Sequence, residues 1–384
     1  MSEAQESQVV STGDRAVEVS ITSTDPRFVS TTFAVDGERI EIWFRASVPL
    51  FVERSDAVVP LGLLAAMRGR CPLVVPGRVS PRLLANSDQA QDILTAFSDG
   101  LHPTTIVADA ERAAGSPGRG VGAFFSCGLD SFFTALKHQD QISHLVFVRG
   151  FDIIEIESKR GAAALDSARR AAEALGKQLI EIDTNLRDLT ERFAPWSLAH
   201  GPALGTVALL LQAQLRRVFV ASTDTYRHLW PRGSHPLLDP LWGTEILEVV
   251  HDGAEANRPQ KLAVVARSEV AMRHLRVCTN QSASYNCGRC GRCVRMMVNL
   301  RLLDASERCV TFPDALELRL VARMHLADHV RAIVRDSLNL AVDRRDWSLA
   351  LALTIALRPH PLLAIRHRLG DLRRRRRRRA TPLR

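Results

Sequence analysis

The stretch VGAFFSCGLDSFFTALKH, residues 121–138, decides how the chain is to be read. An apolar run meets Ser126-Cys127-Gly128-Leu129-Asp130-Ser131 and passes at once into a helical pattern. A strand that turns directly into a helix leaves backbone N–H groups at the positive end of the helix dipole, a natural seat for an anion. Ser126 and Ser131 add hydroxyls, and Gly128 lets a ligand come close to the backbone. No G-x-x-x-x-G-K is present, so the loop is not of the Walker type. A plainer reading makes Asp130 or Ser131 an ordinary helix cap. The hexapeptide alone leaves both open.

The pattern continues downstream. HLVFVRGFD (144–152), KQLIEIDTN (177–185) and RVFVASTD (217–224) read as strands. ALDSARRAAEALG (164–176), ended by Gly176, and ALGTVALLLQAQLR (203–216) read as helices. Alternating units with unbroken apolar strands predict an α/β fold, a doubly wound parallel sheet covered on both faces. Ligands of such sheets bind at the carboxyl ends of the strands. Ser126, Asp152, Asp183 with Thr184, and Ser222 with Thr223 and Asp224 all fall there. Residues 225–245, rich in Pro, His and Trp, form a long connection of the functional kind, with Tyr226, Trp230 and Trp242 as expected anchors.

On the N-terminal side, residues 1–12 read as a loose end. AVEVSITS (16–23), STTFAVDG (30–37) and ERIEIWFRA (38–46) alternate as strands do, with Asp36-Gly37 as a hairpin turn. Residues 61–69 and 81–97 look helical. The expected divisions are an N-terminal α+β domain and linker (1–118, with the linker at 111–120), a nucleotide-binding domain (119–312), and a helical extension with an Arg-rich tail (313–384). Residues 314–370 read as helical.

Apolar residues make up 46% of the 384 and charged ones 24%, enough apolar side chains for a sizeable core. No uninterrupted apolar run reaches the roughly 18 residues of a membrane span. The start, MSEAQESQVV, lacks the basic and apolar regions of a secretory signal, so a cytoplasmic location with no membrane partner is expected. The net charge of +9 sits in the tail: residues 363–384 contain ten Arg and one Asp. Arg373 to Arg379 could bind nucleic acid or an anionic surface, or simply be solvated.

Four of the seven cysteines crowd together as Cys278-x8-Cys287-x2-Cys290-x2-Cys293. Four soft ligands at this spacing suit a closed tetrahedral zinc site of structural role, with an iron–sulfur cluster as the competing reading.

The two motifs together carry a resemblance. Ser126 to Ser131 resembles the S-G-G-x-D-S loop of the PP-loop ATP pyrophosphatase superfamily. The segment from Cys278 to Cys293 is similar to the zinc knuckle of the 7-cyano-7-deazaguanine synthase branch, in the same order along the chain. The resemblance spans residues 119–300 and marks a divergent member. It implies that Ser126, Cys127, Gly128, Leu129, Asp130 and Ser131 cradle the pyrophosphate of ATP, with Asp130 positioning magnesium and with Asp130 and Ser131 as catalytic residues. It further implies Asp152, His200, Gly201 and Ser222 around the nucleotide and Ser234, His235 and Asp239 toward a small-molecule or peptide substrate. The implied reaction is adenylation of a carboxylate, then attack by a nitrogen or sulfur nucleophile. A homodimer is one arrangement open to it.

Between the motifs, the small residues at 200–205 suit either a nucleotide or close helix packing. Lys261 could neutralise a phosphate, although lone lysines are mostly solvated. Cys127 stands where the family has Gly, and its Cβ predicts a backbone without positive φ. It reads as a tolerated small residue, as an activated thiol at a helix N-terminus, or as a bar to ATP use. These features also suit two other functions: a non-catalytic zinc protein that uses its basic tail, and a sulfur transferase using Cys127 or Cys309.

Overall fold

The computed structural model describes residues 16–35, 38–113, 117–278, 280 and 285–358. The Asp36-Gly37 turn, the N-terminal end and the Arg-rich tail lie outside them. The strands are β1 Val17–Asp25, β2 Phe28–Val35, β3 Glu38–Ala46, β4 Leu73–Val79, β5 Ile106–Ala110, β6 Gly120–Phe124, β7 His144–Arg149, β8 Gln178–Thr184, β9 Leu215–Ala221 and β10 Glu248–Asp252. The helices are α1 Val59–Gly69, α2 Pro81–Phe97, α3 Leu129–Lys137, α4 Lys159–Ala174, α5 Arg187–Phe193, α6 Trp196–Leu210, α7 Arg258–Val265, α8 Glu269–His274, α9 Gly291–Leu302, α10 Leu318–Ala322, α11 Asp328–Asp343 and α12 Trp347–Leu357.

Among the described residues, all ten strands join one mostly parallel sheet in the order β10-β9-β6-β7-β8-β3-β2-β1-β4-β5. Its five-stranded half, β10-β9-β6-β7-β8, is parallel throughout. The chain runs outward from β6 through β7 to β8, then returns to β9 on the other side of β6. The gap between β6 and β9 is therefore the switch point where α/β sheets of this kind bind ligands. Residues 126–131 leave β6 at that point.

Every residue of β6 is buried, and its side chains feed two different cores. Val121, Ala123 and Phe125 pack with Phe132, Phe133, Leu145 and Phe147 under α3 and α4. Phe124 packs with Val146, Ile180 and Val218 against α6 on the other face. The period-two alternation of a strand thus accounts for helices on both sides. A third core joins α9 to α10, α11 and α12.

The N-terminal strands extend the same sheet. β3 lies antiparallel to β8, with Phe44 opposite Thr184, Arg45 opposite Asp183 and Ala46 opposite Ile182. Three strands were not legible in the sequence. β4 carries Pro76-Gly77, with a register shift against β5 between Val74 and Arg78. β5 is half exposed, and β10 is only five residues long. α2 matches its expected range, because Ser80 caps it by accepting from Leu83 N at 3.1 Å and Pro81 opens its first turn. α6 starts earlier than expected and ends at Leu210, before β9 begins at Leu215.

The 225–245 connection is held chiefly by Trp242, which is buried, whereas Tyr226 and Trp230 are exposed. The small residues of α6 make room for it. A Cβ on Gly205 would lie 2.7 Å from the Trp242 ring, and one on Gly201 would lie 1.8 Å from Gly233 O. Gly201 therefore serves close backbone packing against the connection. Gly→Ala in a helix ordinarily stabilises by up to about 1 kcal/mol. Here Gly201→Ala should instead destabilise by about 2–3 kcal/mol through overpacking, measured by urea unfolding; a neutral or stabilising result would contradict this contact.

Candidate functional site

α3 begins with Gly128 as its N-cap, and no side chain caps it. Its first internal hydrogen bond runs from Phe132 N to Gly128 O at 2.9 Å. By helix geometry the N–H groups of Leu129, Asp130 and Ser131 have no acceptor within the helix. Neither Asp130 nor Ser131 acts as the cap. Ser131 is buried and closes the loop from inside, donating to Gly128 O at 3.0 Å and accepting from Ser126 N at 3.3 Å. Ser126 is the exposed hydroxyl of the loop, and its Oγ accepts from Gly128 N at 3.3 Å. Leu129 is buried, so its contribution to a ligand is its N–H.

Cys127 adopts φ +58°, contrary to the expectation from its Cβ. It takes the left-handed conformation that a glycine would take, at a strain of about 1–2 kcal/mol. Its side chain is fully buried in the α3 core. Burial pushes the thiol up to about 12, against the pull of Arg276 and Ser167. The activated-thiol reading does not hold, because the helix N-terminus is outweighed by desolvation. Cys309 is likewise buried, and burial raises its thiol.

Asp130 points into a group of cations that the sequence did not reveal. Arg258 Nη2 lies 3.2 Å from Oδ2, and Lys261 Nζ lies 3.0 Å from Oδ1. Burial alone would raise this carboxyl, but Arg258 and Lys261, with Arg292 further off, hold it below the usual aspartate range. Lys261 is buried, not solvated, and also donates to Ser222 O. Both oxygens of Asp130 are thus paired to cations of the chain itself, whereas the resemblance implied a magnesium ion there. Burial among Arg258 and Arg292 pulls Arg295 down to about 10. Arg276 reaches the loop from the far side, its Nη2 lying 3.3 Å from Ser126 O. Arg258, Lys261 and Arg276, with Arg292 further off, thus lie about a helix N-terminus that contributes one carboxylate, and Arg295 lies near Arg258 and Arg292.

The remaining expected residues divide. Asp152 is exposed, and its charge is felt by both His200 and Arg276. Burial lowers the pKa of His200, which Asp152 and Asp239 oppose. Asp183 makes a two-pronged pair with Arg149, 2.7 Å on each side, within the sheet. Ser222 is buried and donates to Asp224 O at 2.8 Å, and Asp224 pairs with Arg232 at 3.0 Å. Ser234 Oγ donates to Asp239 Oδ2 at 2.8 Å, and His251 Nδ1 lies 2.6 Å from the same oxygen. Asp239 and His235 are buried, so this set, expected to face a substrate, ties the connection to β10.

Cys278, Cys287, Cys290 and Cys293 come together with all four sulfurs within 4.8 Å of one another. The Cys278–Cys290 and Cys287–Cys293 sulfurs are each 3.9 Å apart. A tetrahedral ion with metal–sulfur bonds of about 2.3 Å needs sulfurs about 3.8 Å apart, so the donors fit one ion such as zinc. A multi-iron cluster would need its thiolates spread more widely. Cys290 N donates to Cys287 Sγ at 3.2 Å and Asn280 N to Cys278 Sγ at 3.3 Å, which favours thiolates. No family model, no curated protein and no solved structure matches this chain.

The metal segment is fastened to the loop. Arg276 N donates to Cys127 O at 2.8 Å. Asn286 Oδ1 accepts from Val277 N and Cys278 N, and its Nδ2 donates to Leu275 O at 2.9 Å. Tyr285 Oη donates to His274 O at 2.6 Å and lies 2.8 Å from Ser167 Oγ.

Cys127→Gly should be more stable than Cys127→Ala by about 1 kcal/mol in chemical denaturation, since glycine relieves the left-handed strain and alanine keeps it; the reverse order would overturn the assigned backbone. With its thiol raised to about 12, Cys127 should resist iodoacetamide in the folded protein between pH 7 and pH 9 and react on unfolding, monitored by peptide mass spectrometry.

Proposed function

We propose that the chain is an ATP-dependent enzyme of the PP-loop type that transfers AMP to an acceptor carboxylate. The observation that carries this is the convergence of Arg258, Lys261 and Arg276, with Arg292 further off, on the uncapped N-terminus of α3 at the sheet's switch point. An excess of fixed positive charge around free amides suits a polyanion whose charge grows as it departs. The acceptor oxygen attacks the α-phosphorus of ATP, and the bond to the bridging oxygen breaks. Pyrophosphate leaves with that electron pair, held by the amides of Leu129, Asp130 and Ser131 and by the Ser126 hydroxyl. Asp130 keeps Arg258 and Lys261 in place. An amine, ammonia or sulfur nucleophile then attacks the acyl carbon of the mixed anhydride and releases AMP. His200, kept neutral by burial, lies on the Asp152 side of this site.

The four-cysteine site takes zinc in this reading. Zinc bound there would supply a rigid tie and no open coordination position. Cys127 does not weigh against nucleotide use, because it presents the same backbone as glycine.

Pyrophosphate and ATP should bind the metal-loaded protein in calorimetry. Arg258→Gln should weaken both by roughly 10- to 100-fold, the loss expected of one charged hydrogen bond. The absence of nucleotide and pyrophosphate binding by the folded, metal-loaded protein would overturn the proposal.

A further inference from the structure

A cleft of about 580 Å³ opens where the N-terminal strands meet the parallel half of the sheet, at the carboxyl ends of β7 and β8. Gly150, just after β7, and Thr184, the last residue of β8, are part of its lining. Trp43 of β3 forms a wall, because the register of β3 on β8, with Phe44 opposite Thr184, brings it beside Asn185. Asn185 clamps that wall: its Oδ1 accepts from Trp43 N at 2.8 Å, and its Nδ2 donates to Glu41 O at 3.0 Å. The loop after β7 adds Ile154, which is 48% exposed, and the half-buried Ile156. A cavity of this volume with an aromatic wall, at the strand ends of an α/β sheet, has the size and the place of a small-molecule site.

The charge of the cleft selects its ligand. Glu155, Glu157 and Asp188 line it and are exposed, and among the described residues none of the three pairs with a cation. Asp188 accepts from the uncharged Asn185 amide at 3.2 Å. Arg187 also lines the cleft, but its Nη2 is held by Glu191 at 2.7 Å and its guanidinium lies 4.4 Å from the centre of the Trp196 ring. An anionic ligand would meet three like charges here. A metal ion is not the fit either: among the described residues, the four cysteines are the one group of His, Cys, Asp or Glu gathered closely enough to hold one. Three carboxylates without counter-ions, beside an indole and two isoleucines, suit an ammonium or guanidinium group on an apolar stem. We propose that this cleft binds a small organic cation, with Trp43 against its stem and Glu155, Glu157 and Asp188 around its charge. The inference goes beyond the ATP reading and does not rest on it, because the cleft shares no residue with the turn before α3.

The test is calorimetry of the full-length protein, without nucleotide, against agmatine, spermidine and phenethylamine, with glutarate and butanol as anionic and uncharged counterparts. Saturable binding of at least one of the three amines is expected, and added salt should weaken it. Glu155→Gln combined with Glu157→Gln, both at exposed positions, should weaken it by about tenfold or more. Trp43→Ala should do the same, and Trp43→Phe should recover most of the loss, which separates the ring from the fold. Binding of none of the amines, equal binding of glutarate or butanol, or amine binding that the double glutamine variant leaves unchanged would overturn the proposal. Failure of the ATP reading is seen separately, as absence of nucleotide binding.

Discussion

The hydrogen bond from Arg276 N to Cys127 O, 2.8 Å long, joins the two parts of the molecule on which a site depends. On one side of it lies the turn between β6 and α3, whose amides face the switch point. On the other lies the segment leading through Val277 and Cys278 into the cysteine cluster. Asn286 and Tyr285 brace that segment through backbone carbonyls at Leu275 and His274. A metal ion held by four sulfurs would fix the ends of this segment, and the segment fixes the turn. The cluster sits outside the sheet, yet it restrains the most exacting piece of backbone in the fold. A zinc site with no open position can matter to a neighbouring reaction in this mechanical way.

The same restraint explains the electrostatics. Buried lysine is costly unless paired and hydrogen-bonded. Lys261 is acceptable because Asp130 and the Ser222 carbonyl both receive it. Those partners come from the starts of α3 and of the connection after β9, which flank the switch point. Arg258 shares Asp130, leaving Arg292 and Arg295 close by. The positive excess is therefore a product of topology. Four segments, distant in sequence, are brought to one edge of the sheet.

That is also why it was not legible in the sequence. Four of the five strands of the parallel half were, because β6, β7, β8 and β9 are apolar runs joined by helical patterns. The four cysteines declared their grouping by spacing. The pairing of β3 with β8 was not legible: period-two alternation shows that a strand has a buried face but not which strand lies beside it. Pro76 and Gly77 interrupt the strand pattern of β4. Single charged residues such as Arg258, Lys261 and Arg295 carry no periodic signal, so their convergence appears only once the chain is folded. Polar residues at strand ends were a mixed guide. Ser126 and Asp152 are exposed at the edge, whereas Asp183 is spent on Arg149 and Ser222 on the carbonyl of Asp224.

Cys127 shows how a departure from a motif can leave its backbone intact. A side chain in the left-handed region costs about 1–2 kcal/mol. Burying a small apolar side chain returns a similar amount. The Cys127 thiol sits in the core with Phe125, Phe132 and Leu275, where a glycine would leave space. Strain in the backbone and packing of the sulfur nearly cancel, so the turn keeps its shape and Gly128 still opens α3. A bulkier side chain would have to displace Arg276 or the aromatic core to take the same path. Cysteine is small enough to be accommodated there, and its burial removes the reactivity that its position at a helix N-terminus would otherwise confer.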